Sequence, residues 1–458
     1  MNIKITGGRL YDPAQGMHGA QQDLFIKGDR IVAHLPKTDR IIQARGQIVV
    51  PAGIDLRGQV ATYGLNFLRL WNRFPSLKEL GQVYAAMGYT HVHEPFLTLY
   101  TAGYVHRQLA ALPLVDTSAS LVLNLRDLDN YFESPGQLEE LGQTIKSLQE
   151  KTRSLDLRLV EPFVRYRQSF YSHRTRETAK TLETLTGLAL KCDLRFNLEA
   201  APEVLEAPLP EPRAFHLAAL GRALTDERRL EQALAHLGKG VTADLGFQAR
   251  KASGLMAGKP LKVDLGWYHP LNFNPGTEAN GALGAMRLAL QYQGAGLAFS
   301  VCGPVLNPTA EFPSYFSWLW DRAARPAAWE RQLPSREFSL AEWVGATRTL
   351  PARLLGLADR GHLGPGARAD VALFDLPPDT PSSGWAQALS RCRTLLKAGV
   401  VVIEDFDLVQ PQTPKATYYR RTGAEEGPLL AELCQYRSFR PENLWVPDEL
   451  GEAWVGLE

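Results

Sequence analysis

Residues 48–59 read Ile48-Val49-Val50-Pro51-Ala52-Gly53-Ile54-Asp55-Leu56-Arg57-Gly58-Gln59, an apolar run that stops at a Pro/Gly break and then offers polar residues two apart. On a strand, residues two apart share a face, so Asp55, Arg57 and Gln59 are expected to point the same way. A first barrel strand presents a site in this manner.

Downstream, helix-like and strand-like segments alternate. Ser76 is placed to cap a helix whose apolar residues Leu77, Leu80, Val83, Tyr84 and Met87 recur at helical spacing, and Gly88 closes it. The strand-like Thr90-His91-Val92-His93-Glu94-Pro95 follows, then a helix around Tyr104 to Leu112 and a strand from Ala119 to Leu125. Ser134 and Pro135 open a helix with Leu138, Leu141, Ile145 and Leu148 on one stripe, leading to a strand from Leu155 to Val160. The pattern continues with a helix from Thr178 to Leu190, strands near Leu194-Arg195-Phe196 and from Ala214 to Ala218, and a helix from Glu227 to Leu237. A strand from Val241 to Leu245, a helix around Ala282 to Tyr292, a strand from Gly296 to Val301 and a helix pair at Leu340–Arg348 and Pro351–Leu357 complete it. Each parallel strand needs a crossover helix, so this alternation predicts a (β/α) barrel, with a doubly wound open sheet as the alternative.

Before the barrel, Asp23-Leu24-Phe25-Ile26-Lys27 runs through Gly28-Asp29 into Arg30-Ile31-Val32, which reads as a hairpin in a small β-module. At 458 residues the chain exceeds an ordinary single domain and suits one large barrel plus a smaller module. Fifty Lys and Arg against 49 Asp and Glu give a formal charge of +1, which argues against nonspecific binding to nucleic acid or anionic membrane. The four cysteines, Cys192, Cys302, Cys392 and Cys434, form no C-x-x-C pair, so neither a disulfide framework nor a structural zinc site is suggested. Met1-Asn2-Ile3-Lys4-Ile5 opens directly with a strand-like pattern, and no apolar run approaches the ~20 residues that span a bilayer. A cytoplasmic location is expected.

Several of these strings resemble the amidohydrolase superfamily. Val49 to Asp55 is similar to its first strand, Ile3 to Pro13 to its opening β-module, and Gly361-His362-Leu363-Gly364-Pro365-Gly366-Ala367-Arg368-Ala369-Asp370-Val371-Ala372-Leu373-Phe374-Asp375 to its closing signature. Lys397 to Glu404 resembles the module's final hairpin. The resemblance implies an α/β fold: a (β/α)8 TIM-like barrel over residues 51–359, a composite β-sandwich from residues 1–50 and 360–425, and a C-terminal tail over 426–458.

Shorter strings resemble one branch, the alpha subunit of formylmethanofuran dehydrogenase and its counterpart in the bacterial formyltransferase/hydrolase complex. They are Ala86-Met87-Gly88-Tyr89-Thr90 with Glu94-Pro95, Leu114-Val115-Asp116, Arg158-Leu159-Val160-Glu161-Pro162, Phe312-Pro313-Ser314-Tyr315, and Glu442-Asn443 with Val446-Pro447-Asp448-Glu449. The resemblance implies a dinuclear zinc site held by two first-strand histidines, a carboxylated lysine, later histidines and an aspartate. Here Arg57 and Gln59 stand at the first-strand histidines and Arg158 at the lysine. Arg195 to Asn197 contain no histidine, His216 aligns with one of two later histidines while Ala219 occupies the other, and Cys302 takes the aspartate position.

An arginine stays protonated and has no lone pair for a cation, and it cannot form a carbamate. No catalytic residue, no metal ligand and no cofactor are therefore expected, with zinc as the alternative. Other residues with the right chemistry have bland readings as well. His91 and His93 form an H-x-H-E string that could be a relocated metal site, completed by Asp264 or His269, or simply polar residues at a strand end. Cys302 and His216 read better as buried core residues than as a nucleophile and a lone ligand. Arg57 and Arg158 are expected to supply fixed positive charge where metal ions would sit, paired with carboxylates such as Asp55 or Glu161.

The function implied is an alpha-like protein of one-carbon metabolism that scaffolds the other subunits of a formyltransferase/hydrolase-type complex, or binds their methanofuran-like carrier, without catalysing. The alternative is an active amidohydrolase cleaving a formamide-type C–N bond through a relocated site. A stand-alone binding protein is a third possibility.

Overall fold

The computed structural model describes residues 1–61, 69, 75–124, 128, 131, 132, 135–160, 178–199, 202–246, 275–301, 312–424, 426–436, 440–450 and 453–458. Ser134, Glu161, Asp264, His269 and Cys302 lie outside these residues.

Eight parallel strands follow one another around a curled sheet: Gly53–Asp55, Tyr89–Leu97, Asp116–Asn124, Asp156–Val160, Phe196–Glu199, Phe215–Ala218, Thr242–Asp244 and Leu297–Ala298. Each pairs with the next in sequence. A doubly wound sheet reverses strand order at a switch point, so this uninterrupted order decides for the barrel. The first and eighth strands meet through Asp55, whose Oδ1 accepts a hydrogen bond from Val301 N at 2.9 Å.

Local chemistry sets the crossover helices. Helix Leu77–Ala86 begins at a capping box, with Ser76 Oγ accepting from Glu79 N at 3.2 Å and Glu79 Oε2 accepting from Ser76 N at 2.7 Å. Asp226 caps helix Glu227–Gly238 from one side only, through Arg229 N. Helix Leu138–Lys151 buries Leu141, Ile145 and Leu148 against the sheet. At the end of helix Thr178–Cys192, Leu194 N still bonds Ala189 O. That helical closure delays the fifth strand to Phe196–Glu199, two or so residues later than its sequence pattern suggests.

The expected helix pair after the eighth strand is instead one helical run. Helix Leu340–Val344, capped by Ser339, passes through a π turn at Gly345–Thr349 into helix Leu350–Leu354. Pro351 cannot donate to the carbonyl four residues back and its ring would crowd it, and the wider turn relieves that clash without breaking the helix. The turn buries Arg348, whose Nε donates to Pro51 O at 2.9 Å while its guanidinium lies 3.8 Å from the centre of the Trp343 ring. The run is thereby pinned to the residues that open the first barrel strand.

The β-module is a sandwich of two sheets. One has the order Arg30–Val32, Leu24–Lys27, Asn2–Thr6, Arg40–Gln43; the other runs Asp407–Leu408, Val400–Glu404, Thr394–Lys397, Val371–Asp375, Gln47–Pro51, Arg9–Asp12, Met17–Gln21. Ile3, Ile5, Leu10, Ile26, Val49, Val371, Leu373 and Leu396 fill the space between them. Leu24–Lys27 and Arg30–Val32 form the expected hairpin, with Gly28 at φ 63° in its turn. The stretch 360–425 divides between the two modules, because strand Thr417–Arg420 pairs with the third barrel strand at Thr117 and Ser118. Strand Trp454–Leu457 then pairs with Thr417–Arg420, so the tail extends the barrel sheet. Among the described residues no helix is long and apolar enough to cross a membrane.

Where sandwich meets barrel, charge is buried. Asp116, fully buried at the start of the third barrel strand, lies 2.8 Å from Lys397 Nζ, 2.5 Å from Arg360 Nη2 and 3.4 Å from Arg368 Nη2. Burial opposes its ionisation, but the three cations outweigh that and hold the carboxyl well below the usual range. Removing the carboxylate strands these cations in the interior, so Asp116→Ala is expected to lose ~3–5 kcal/mol of unfolding free energy. Urea denaturation checks this, and a loss no larger than that of a surface substitution would contradict it.

Candidate functional site

The first barrel strand is only three residues long, and the reason is local. Asp55 Oδ1 accepts from Arg57 N at 3.1 Å, an i to i+2 turn that curls the chain out of the strand. Gln59 then adopts φ 45°. Asp55, Arg57 and Gln59 therefore do not share one face, contrary to the strand reading.

Among the described residues Asp55 pairs with no arginine side chain. It is buried, with Oδ2 accepting from Tyr84 OH at 2.6 Å and Oδ1 from Val301 N at 2.9 Å. Burial raises its pKa, with the three donors pulling against it. Its task is to clasp the first strand to the eighth.

Among the described residues both arginines meet Glu199, at the end of the fifth strand. Arg57 meets it as a fork, Nη1 to Oε2 at 3.0 Å and Nη2 to Oε1 at 2.7 Å. Arg158, on the fourth strand, donates to Oε2 from Nε at 3.1 Å and from Nη2 at 2.7 Å. The side chains are 1 %, 3 % and 12 % exposed for Arg57, Arg158 and Glu199. Phe96 lies against both guanidinium groups, its ring centre 5.4 Å from that of Arg57 and 5.3 Å from that of Arg158. Both guanidinium groups are thus held by a carboxylate that no motif marks. Glu199 lies two residues beyond the stretch Arg195 to Asn197, and its one sequence signal is the alternation Phe196-Asn197-Leu198-Glu199, which puts Asn197 and Glu199 on one face.

His91 and His93 lie within the second strand, facing into the barrel, and both are occupied by hydroxyls. His91 Nε2 and His93 Nδ1 are each 2.8 Å from Ser118 Oγ, and His93 Nε2 is 2.7 Å from Ser120 Oγ and 3.4 Å from Asp156 Oδ1. Ser118 and Ser120 come from the third strand, directly opposite His93 and Asp156 in register. Glu94 points the other way, its carboxylate accepting from Ala61 N at 2.7 Å and Phe96 N at 3.2 Å. The H-x-H-E string does not converge. Burial, reinforced by Arg360, pushes the His91 pKa well down, so the imidazole is neutral. Asp156 is held below the carboxylate range despite its burial, through His93, Ser120 and Asn197.

His216, on the sixth strand, is hydrogen-bonded core, as its bland reading has it. Nδ1 is 3.0 Å from Thr242 Oγ1 and Nε2 3.3 Å from Asp244 Oδ2. Asp244 also accepts from Ser300 Oγ at 2.5 Å and Ala219 N at 3.1 Å. Asp244 and Ser300 carry no motif, and only strand alternation points to them.

The described residues do not offer the donor set of a dinuclear zinc centre. Two of the positions carry guanidinium groups locked on a carboxylate, and among the described residues no group of three or more His, Cys, Asp or Glu side chains is placed to hold a metal ion. What the arrangement does offer is a pair of buried, forked cation donors at the barrel mouth.

A model of the amidohydrolase family matches residues 288–414, from the helix before the eighth strand through the return into the sandwich. The fold is of the amidohydrolase type, and the family match covers this stretch of it. The chain's likeness to individual proteins runs over nearly its whole length: it is 22 % identical to protein FwdA of Methanocaldococcus jannaschii, covering 99 % of this chain and 98 % of the relative. It is 26 % identical to the A component of the formyltransferase/hydrolase complex Fhc of Methylorubrum extorquens, covering 89 % of each. Among solved structures, the formyltransferase/hydrolase complex FhcABCD of Methylorubrum extorquens, in complex with methylofuran, contains a chain that superposes with a TM-score of 0.82 at 21 % identity, covering 100 % of both chains. Dihydropyrimidinase from Brevibacillus agri superposes with a TM-score of 0.55 at 15 % identity, covering 91 % of this chain and 98 % of that one.

Buried imidazoles make the fold acid-sensitive in a defined window. The pKa values of His91 and His216 are lowered by burial, as is that of His106, to about 4. The unfolded chain takes up protons at these groups near pH ~6.5 while the folded one does not. Their contribution is complete above pH ~6.5 and is lost as pH falls toward ~4. Urea midpoints measured between pH 7.5 and 4.5 are expected to fall, less steeply for His91→Gln; a pH-independent midpoint would contradict the burial of neutral imidazoles.

Proposed function

We propose that this chain is the alpha-type component of a formyltransferase/hydrolase-type complex in one-carbon metabolism. In this reading it docks the other subunits and receives a methanofuran-like carrier in the cytoplasm, without a dinuclear zinc centre and without hydrolysing the formamide bond. The near-full-length likeness to FwdA and to the A component of Fhc, and the fold shared with a chain of a complex that binds methylofuran, support this role. The observation that supports the non-catalytic part is the bridge to Glu199 from Arg57 and Arg158, the residues at which the resemblance implies metal ligands. Two fixed guanidinium charges repel a divalent cation, and neither has a lone pair to offer it.

A hydrolase working through a relocated site is less well supported. His91 and His93 are committed to Ser118 and Ser120, and Glu94 faces the backbone of Ala61 and Phe96.

Affinity purification of the tagged chain from its native cell, followed by zinc analysis and an assay for formylmethanofuran hydrolysis, tests the reading. Co-purifying formyltransferase-type subunits, zinc far below one ion per chain and no turnover are expected. Hydrolysis that disappears in His91→Ala would establish the relocated site instead.

A further inference from the structure

We propose that Arg57 and Arg158 form a carboxylate-binding site that Glu199 fills from within the chain. Such a site goes beyond the role in a complex, since it needs only the geometry of the barrel mouth and would hold for a hydrolase as well as for a scaffold.

The two arginines come from separate parts of the barrel wall, Arg57 from the turn after the first strand and Arg158 from the fourth strand. They converge on one carboxylate. Arg57 engages both oxygens with its two terminal nitrogens, at 3.0 and 2.7 Å, and Arg158 adds Nε and Nη2 on Oε2 at 3.1 and 2.7 Å. Planar forks of donors match the geometry of a carboxylate and not that of a spherical cation. The Phe96 ring supports both forks from one side. Asp244 faces Arg57 and partly balances its charge, while its oxygens accept from His216, Ser300 and Ala219 N. Arg195, the next cation along the wall, donates to Thr242 Oγ1 at 2.8 Å.

A receptor of this kind takes a free carboxylate once its internal one is removed, and a ligand arriving with a carboxylate of its own has to compete with Glu199. Formate and acetate are the smallest probes. Glu199→Ala is expected to melt below the wild type in chloride buffer and to regain at least half of the loss, saturably, with tens of millimolar acetate or formate. Chloride at the same ionic strength should not restore it, and acetate should leave the wild type unchanged. The double variant Arg57→Gln/Glu199→Gln, which removes one cation with the anion, is expected to melt near the wild type and to ignore acetate. A Glu199→Ala protein as stable as the wild type, or one helped by acetate no more than by chloride, would overturn the proposal. If Glu199→Ala does not accumulate in soluble form, the double variant decides: recovered solubility supports the site, and failure to recover overturns it.

Discussion

Two guanidinium groups sharing one carboxylate is the interaction on which the barrel mouth depends. Charges taken out of water cost several kcal/mol each, and only tight, fully hydrogen-bonded geometry offsets that cost. Arg57, Arg158 and Glu199 offset part of that cost with four short contacts. Because the three residues sit on three parts of the barrel wall, the bridge also sets how those parts stand relative to one another. A metal centre would do the same with the signs reversed, cations in the middle and anionic or neutral ligands around them.

The rest of the barrel lumen follows the same logic with weaker groups. Imidazoles and hydroxyls alternate around the wall, His91 and His93 against Ser118 and Ser120, and His216 against Thr242 and Asp244. Each is a buried polar group made tolerable by a partner on the neighbouring strand. At the base, Asp116 gathers Lys397, Arg360 and Arg368 and joins the sandwich to the barrel. At the mouth, Asp55 draws the eighth strand to the first. These buried polar groups are held by internal partners from neighbouring strands.

Much of the architecture was legible in the sequence. The alternation of periods two and three to four, the cap at Ser76 and the Gly28 turn all follow local rules, and the structure keeps them. What could not be read was longer in range. The π turn before Pro351 arises from a clash with the preceding turn, and the assignment of Thr417–Arg420 to the barrel depends on a pairing some 300 residues away in sequence with Thr117. The same holds for the site. The resemblance drew attention to Arg57 and Arg158, yet nothing in it marked Glu199 as a partner. An Asx turn removes Asp55 from contention, and the helix closure at Leu194 shifts the fifth strand so that Glu199 becomes its last residue.

The most direct measurement is X-ray diffraction from crystals grown with zinc, with anomalous data collected at the zinc absorption edge. The account predicts no anomalous peak between Arg57 and Arg158, and density there for a guanidinium–carboxylate–guanidinium bridge. A strong peak inside the barrel mouth, with the arginines turned away from Glu199 and other side chains gathered around it, would contradict it.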